Sequence, residues 1–411
     1  MRNNRPTTPD LIATDLVHPS TPREVAAALK RASDEQRSIV IRGAGTKMTW
    51  GRAAPRLDVM LDMRRLNRVL EHQHGDLTAT IEAGATLRDV NDALSRLGQG
   101  LPLDPSFADD ATIGGILATN DSGPLRHRYG APRDLVIGVQ LATTDGELTK
   151  AGGKVVKNVA GYDLSRLVAG SFGSLAAIVS ATFKLSPIPE SSKTIQLTAP
   201  DIASLAQAVR TLMASQLDPI AFEVAVSRPS DPARPLAPAR PAPARDDGLQ
   251  ILLRFASVQA AVEAQVAAAT EALSGIVSAV QVVEGYAERT VWVGHASRLW
   301  EKPGAILRAS WLPAALPSAL AELPASAELI GRAAVGAGMV RIDGDDQEQA
   351  RVVAMLRHSP HFGNVVILRG SAALKEAVDV WGPQGDRERL LASLKRAFDP
   401  NGVLNAGRGP L

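Results

Sequence analysis

Short apolar stretches with two different periods alternate along the first 190 residues. Leu77, Ala79 and Ile81 alternate with Thr78, Thr80 and Glu82, a period of two that predicts a strand. Ser38-Ile39-Val40-Ile41 reads as a short buried strand that runs directly into Arg42-Gly43-Ala44-Gly45-Thr46-Lys47. Leu87, Val90, Leu94 and Leu97 recur at helical spacing, which predicts a helix from a Thr86 cap to Gly98. Thr21-Pro22-Arg23-Glu24 is another helix start, with Thr as cap, Pro in the first turn and Glu reaching back. Leu135 to Ala142 predicts a strand, and Asp145-Gly146 a hairpin turn after it.

The pattern changes at Ser227. From there to Asp247 six prolines and four arginines stand with almost no large apolar side chain. Such a stretch buries too little surface to offset its ordering entropy, so an exposed, mobile loop open to proteolysis is expected. Ile251-Leu252-Leu253-Arg254-Phe255 then reads as a strand and residues 257 to 273 as a helix. No repeat of fixed period is present. The expected fold class is α+β: a domain over 1–190, a smaller α+β domain over 191–392 that carries the 227–247 loop, and a tail over 393–411.

Composition narrows the chemistry. A chain of 411 residues fits two domains at ~100–200 residues each. With 45 Lys+Arg against 43 Asp+Glu, no strong field exists to attract nucleic acid or an anionic membrane. The absence of cysteine excludes disulfides, thiolate catalysis, iron–sulfur ligation and cysteine-based zinc sites in this chain. No apolar run approaches the ~18 residues of a spanning helix, and Met1 to Asp10 lacks the apolar stretch of a signal peptide. A soluble, cytoplasmic protein is expected, with any membrane association made only through partners.

Glycine clusters carry the functional signal. In Arg42 to Lys47, glycines let backbone N–H groups approach an anion, and Thr46 and Lys47 can add donors. The loop fits neither the dinucleotide fingerprint, because Met48 stands at the sixth position, nor a P-loop, because Thr46 follows Gly45. A plain tight turn is the alternative. Thr112-Ile113-Gly114-Gly115, continuing through Thr119, Asn120 and Gly123, is the second cluster. Gly152 to Asp163 and Gly170-Ser171-Phe172-Gly173-Ser174-Leu175 are the third and fourth. Together they suggest backbone wrapped around an extended cofactor, partly anionic and partly aromatic.

The order of these segments, with Phe398-Asp-Pro-Asn-Gly at the chain end, resembles the two-subdomain FAD-binding domain of the vanillyl-alcohol oxidase/p-cresol methylhydroxylase (PCMH) type. Within that family it is similar to the FAD-binding subunit of glycolate oxidases. The resemblance implies a cap domain after the FAD domain. It also implies that Arg42, Gly43, Ala44, Gly45, Thr46 and Lys47 hold the FAD pyrophosphate. Thr112, Ile113, Gly114, Gly115, Thr119, Asn120 and Gly123 would line the pyrophosphate and isoalloxazine. Gly173 and the strand with Ile178 would present backbone to the flavin, and Asn405 to Arg408 would close over it. Lys157, Asn158, Tyr162 and Asp163 match a segment near the dinucleotide, although Tyr162-Asp163 can equally be a helix cap with a packed aromatic. Thr46 occupies the position of an attachment histidine and no cysteine exists, so FAD is expected to be non-covalent. Valine at Gly43 or Gly114 is expected to lower FAD affinity more than stability.

No metal site is expected. His72-Gln73-His74 and His358-Ser-Pro-His361 have turn and loop compositions, and His127 lies between Arg126 and Arg128. Where relatives carry Gly-Asp-Gly-Asn-Leu-His this chain has Gly336-Ala337-Gly338-Met339-Val340-Arg341, and Val380-Trp381-Gly382-Pro383 stands near their Glu-His-Gly. No catalytic residue is assigned. The resemblance implies glycolate oxidation to glyoxylate in a complex with a larger flavin subunit and an iron–sulfur subunit. Two alternatives stay open: a stand-alone FAD-dependent 2-hydroxy-acid dehydrogenase with Arg341 or Arg369 on the substrate carboxylate, or a scaffold without flavin.

Overall fold

The computed structural model describes residues 13–54, 56–154, 162–227 and 248–410. The Pro- and Arg-rich stretch from 228 to 247 and residues 155–161 of the third glycine cluster, Lys157 and Asn158 included, lie outside the described residues. The chain divides into two units, Met1–Ile188 with Pro383–Leu411, and Pro189–Gly382. Among the described residues no helix is long and apolar enough to cross a membrane.

The first unit has strands β1 (Asp15–Val17), β2 (Ile39–Arg42), β3 (Val59–Asp62), β4 (Val69–Gln73) and β5 (Thr78–Glu82). It continues with β6 (Gln99–Gly100), β7 (Val136–Ala142), β8 (Leu148–Gly152), β9 (Ala177–Lys184) and β10 (Ser186–Pro187). The order β1-β3-β2 makes a small parallel sheet. The Pro22–Asp34 helix covers it, started by Thr21 Oγ1, which accepts the Glu24 N–H at 3.2 Å. Val25, Leu29, Ile39 and Leu61 form its core, and Val403 and Leu404 of the tail join them. A second core, with Ile81, Val90, Leu94, Ile113, Leu117 and Phe183, underlies the antiparallel sheet β4-β5-β9-β7-β8. Two cores within one unit are the two subdomains.

The strand predicted around Leu77–Glu82 is β5, Thr78–Glu82. Two local expectations need correction. The Leu87–Ser95 helix stops before Leu97, which is 53% exposed, because the chain turns away toward β6 once the buried stripe has ended at Leu94. Both faces of β5 are inside the fold. Thr78 and Glu82 are buried too, since β5 lies between β4 and β9, and Arg68 neutralises Glu82 at 2.9 Å. The strand expected from Leu135 begins at Val136, because Pro132–Leu135 makes one helical turn first.

The second unit is built on strands β11 (Ser191–Ala199), β12 (Ala221–Val226), β13 (Leu249–Ser257) and β14 (Ala279–Glu284). It adds β15 (Ala305–Ser310), β16 (Ala327–Arg332), β17 (Ala337–Ile342) and β18 (Val365–Arg369). They form one antiparallel sheet in the order β14-β11-β13-β12-β16-β17-β15-β18. The Ile202–Ala214 and Asp346–His358 helices start at aspartate caps, Asp201 and Asp345. The predicted helix over 257–273 is Gln259–Ala272.

The tail is fastened to the first unit by a buried cation. Lys395, on the Arg387–Phe398 helix, donates to Ser174 O at 2.8 Å, Leu404 O at 2.7 Å and Asp399 Oδ2 at 2.6 Å. Asp399 is 1% exposed and also accepts the Val403 and Leu404 N–H groups. Lys395→Met leaves that carboxylate without its cation. Breaking such a pair costs about 3–5 kcal/mol, so the urea midpoint of the full chain should fall accordingly, and an unchanged midpoint would show that the lysine is dispensable.

Candidate functional site

Within the first unit the first, second and fourth glycine clusters and the tail meet. β2 delivers the chain into the Arg42–Lys47 loop. Gly43 lies so close to Thr112 that a Cβ on it would stand 2.0 Å from Thr112 Oγ1. The Ile113–Thr119 helix is pulled onto β5's end by Ile113 N–H to Ala85 O at 2.9 Å and Gly114 N–H to Ala83 O at 2.8 Å. The fourth cluster hangs on the same helix through Gly170 N–H to Leu117 O and Phe172 N–H to Ala118 O. Asn405, 4% exposed, then clips the tail across both ends: Oδ1 accepts the Ile41 N–H at 3.3 Å, and Nδ2 donates to Phe172 O beside Gly173.

The loop's charged side chains are committed elsewhere. Arg42 pairs with buried Asp62 at 2.7 Å. Lys47 turns inward, donating to Ser106 O at 3.2 Å, 3.5 Å from Asp121 Oδ2 and over the Trp50 ring. Burial pushes its ammonium pKa down, with Asp121 acting against that shift. Arg408 donates to Met48 O and Trp50 O, and burial lowers its pKa to about 10. The backbone behaves differently. Gly45, at φ 81°, turns the loop so that Met48 N–H bonds back to Gly45 O. The N–H groups of Ala44, Gly45, Thr46 and Lys47 find no acceptor among the described residues, and neither does that of Gly115. Backbone donors at 44–47 left without an acceptor among the described residues suit an anionic group.

The remaining predicted positions are structural by contact. Ile113 and Ile178 are core residues, 0% and 6% exposed. Thr119 Oγ1 donates to Gly115 O at 2.8 Å, and Asn120, at φ 47°, accepts the Arg133 N–H at 3.1 Å. Gly123 N–H donates to Asp104 Oδ1 at 3.0 Å. Asp163 caps the Leu164–Val168 helix, whereas Tyr162 is 91% exposed and not packed.

His72 and His74 meet edge to face, with ring centroids 6.4 Å apart. His72 is in β4, not a turn, with Nε2 2.8 Å from Gln99 Oε1. His358 ends a helix, and His361 faces Glu322 at 3.5 Å. Buried His295 lies 3.0 Å from Glu223, a pairing with no local sequence signal because the two residues are 72 positions apart. The Lys47–Asp121 and Lys395–Asp399 pairs were missed too, the first for lack of any local signal; the i,i+4 spacing of the second is one.

Two family matches lie along the chain. Residues 14–152 match the FAD binding domain, and residues 188–316 match the C-terminal domain of FAD linked oxidases. The chain carries these two domains in that order, and its cofactor is FAD. Glycolate oxidase subunit GlcD of Bacillus subtilis is 35% identical over 51% of this chain and 44% of its own length. Glycolate oxidase subunit GlcE of Escherichia coli is 34% identical over 47% and 53%. D-2-hydroxyglutarate dehydrogenase of Xanthomonas citri pv. viticola is 28% identical over 98% and 89%. The match thus spans about half or less of either glycolate oxidase subunit. Among solved structures, an alkyldihydroxyacetonephosphate synthase shares the fold, with a TM-score of 0.67 at 17% identity over 95% of this chain and 76% of its own. The unpartnered loop donors fit the FAD assignment.

The expectation that valine at Gly43 or Gly114 acts mainly on FAD affinity is corrected. A Cβ on Gly114 would lie 2.8 Å from Ala83 Cβ and 3.1 Å from its carbonyl oxygen, so protein atoms fill both positions. Gly114→Val should destabilise the flavin-free protein by about 1–3 kcal/mol in urea unfolding. A wild-type midpoint with lost flavin would restore the earlier expectation. Asp62 gives a second test. Burial raises its pKa, but hydrogen bonds from Arg64 and Arg42 outweigh this and hold it at about 2. A folded value below the unfolded ~3.9 contributes about 2 kcal/mol that is present above pH ~4 and lost as pH falls toward 2. The stability gap between wild type and Asp62→Asn should therefore narrow between pH 5 and pH 3, and a constant gap would count against the pairing.

Proposed function

We propose that this chain is an FAD-carrying subunit of a glycolate oxidase complex that converts glycolate to glyoxylate, working with a larger flavin subunit and an iron–sulfur subunit. The observation that carries this reading is an asymmetry. The loop donors for the cofactor are free, while the two cations considered for a substrate carboxylate are consumed by the protein. Arg341 is 7% exposed, donating to Glu328 at 3.1 Å, Pro303 O at 2.8 Å and Asp343 at 3.3 Å. Arg369 donates to Gly304 O, Trp300 O, Leu299 O and Lys302 O and stacks on Trp300. Neither guanidinium keeps a fork for a carboxylate.

In this reading the Ala44–Lys47 amides and Gly115 N–H hold the pyrophosphate, and Thr112, Asn120, Gly123, Gly173 and Asn405 shape the walls by fixing the backbone. Bound FAD supplies two-electron redox chemistry. The Gly336–Arg341 segment, where relatives carry metal-site residues, is a packed hairpin: Gly336 turns at φ 69° against Trp311, and Gly338 packs on Trp311 and Gly331. It holds no proton acceptor for an α-hydroxyl. Substrate binding and proton removal therefore fall to the larger subunit, and this chain contributes flavin and structure. The names of the GlcD and GlcE relatives support the assembly.

Acid precipitation of the purified chain should release all its flavin, since Thr46 stands at the attachment position. Flavin left in the pellet would contradict non-covalent binding. Anaerobic glycolate or D-lactate should leave the flavin of the isolated chain oxidised and bleach it only when the partner subunits are added. Rapid bleaching of the isolated chain would establish a stand-alone dehydrogenase instead.

A further inference from the structure

The outer strands of the eight-stranded sheet are β14 and β18. An outer strand leaves a row of unpaired N–H and C=O groups, which proteins guard with lysine, proline, a bulge or a covering segment. β18 is covered: Ile367 N–H donates to Val380 O at 3.0 Å, and Arg357 ties Val365 O to Val380 O. Among the described residues β14 has no such guard. Its sequence, Ala-Val-Gln-Val-Val-Glu, contains no lysine or proline, and its ladder with β11 has no bulge. Beyond that ladder, residues 279–284 make no backbone hydrogen bond among the described residues. Val280 and Val282 are 41% and 44% exposed.

The Gly285–Ser297 helix beside it has its polarity inverted. Its buried residues are Glu288 and His295, while Tyr286 and Val293 are 78% and 69% exposed. A polar seam fixes this orientation. Glu288 accepts from Ser192 and Thr194 at 2.7 Å each, Trp292 Nε1 donates to Thr194 at 2.8 Å, and His295 meets Glu223.

We infer that β14 pairs antiparallel with β14 of a second copy of this chain about a twofold axis at Gln281. Residues facing each other across such a pair share one side of the sheet. With the axis at Gln281, Val280 faces the partner's Val282 and Val282 faces the partner's Val280. The only charge in the strand, Glu284, faces the partner's Ser278, so no like charges meet. The helix lies over β11 and β14. Its symmetry mate then lies about two strand spacings away, roughly 10 Å, which is a normal helix-packing distance. The edge is thus complementary to itself in backbone, side chains and helix spacing.

Light scattering on the full chain at micromolar concentration should give a dimer. Val280→Lys with Val282→Lys sets like charges face to face and should give a monomer with unchanged flavin content and melting temperature. Val280→Lys with Val282→Glu sets opposite charges face to face and should restore the dimer. Because the chain has no cysteine, Gln281→Cys with a short bifunctional thiol reagent should yield a covalent dimer, and Met355→Cys, also exposed, should not. A monomeric wild type, a dimer that survives the double lysine variant, or failure of the charge-swapped variant to dimerise would each overturn the inference. So would a wild-type monomer that gains mass only with a different protein.

Discussion

The first unit depends on close backbone approach closed by one amide. Asn405 bonds to Ile41 and Phe172, which lie 364 and 233 residues away in sequence. Asn405 itself sits at φ 47°, a left-handed conformation that asparagine tolerates better than most residues. Its backbone N–H also bonds to Ile39 O, so the tail is held by main chain and side chain together. Without this clip the end of β2 and the Phe172–Gly173 turn lose the side chain that hydrogen-bonds to both. The loop that leaves β2 would then lose the fixed origin from which its amides are aimed.

That loop concentrates positive potential without a free cation. Arg42 is matched by Asp62 and Lys47 by Asp121, while Arg408 is absorbed by carbonyl oxygens. What remains is a row of N–H dipoles without an acceptor among the described residues. Backbone donors are fixed by the fold, so such a row needs little reorganisation to meet an anion. Ionised side chains in the same place would lose rotamer freedom on binding. Here they serve instead as anchors beneath the loop, where burial makes their partners obligatory.

Elements with strong local signals were legible in the sequence. Thr21 and Thr86 cap their helices as their spacing predicts, and Asp145-Gly146 turns β7 into β8. The glycine clusters were legible as a set, and the structure joins the first, second and fourth in one place. What the sequence could not show is which atoms each glycine admits. Gly43 and Gly114 admit a threonine hydroxyl and an alanine methyl, while a Cβ at Gly45 would meet only ordinary contacts at 3.8 Å and it is the φ of 81° that calls for glycine. A glycine looks the same in either role, because the missing Cβ says nothing of what replaces it. Buried pairs such as Lys47–Asp121 are illegible for a related reason: their sequence separation is set by topology, not by any local period.

The second unit shows the same limit from the other side. Arg341 and Arg369 look, as residue types, like carboxylate readers. In the sheet they face one another's neighbourhood, and burial together with the charge of Arg341 pushes the pKa of Arg369 down. Two guanidiniums so placed persist because each is satisfied, Arg341 by Glu328 and Asp343, Arg369 by four carbonyls that end a helix and its following turn. Prising either free for a substrate would leave buried acceptors empty, a cost a single small carboxylate does not repay. This part of the sheet is closed by its own hydrogen bonds. The same chain thus leaves the N–H groups of 44–47 without an acceptor among the described residues while it commits both sheet arginines to its own carboxylates and carbonyls.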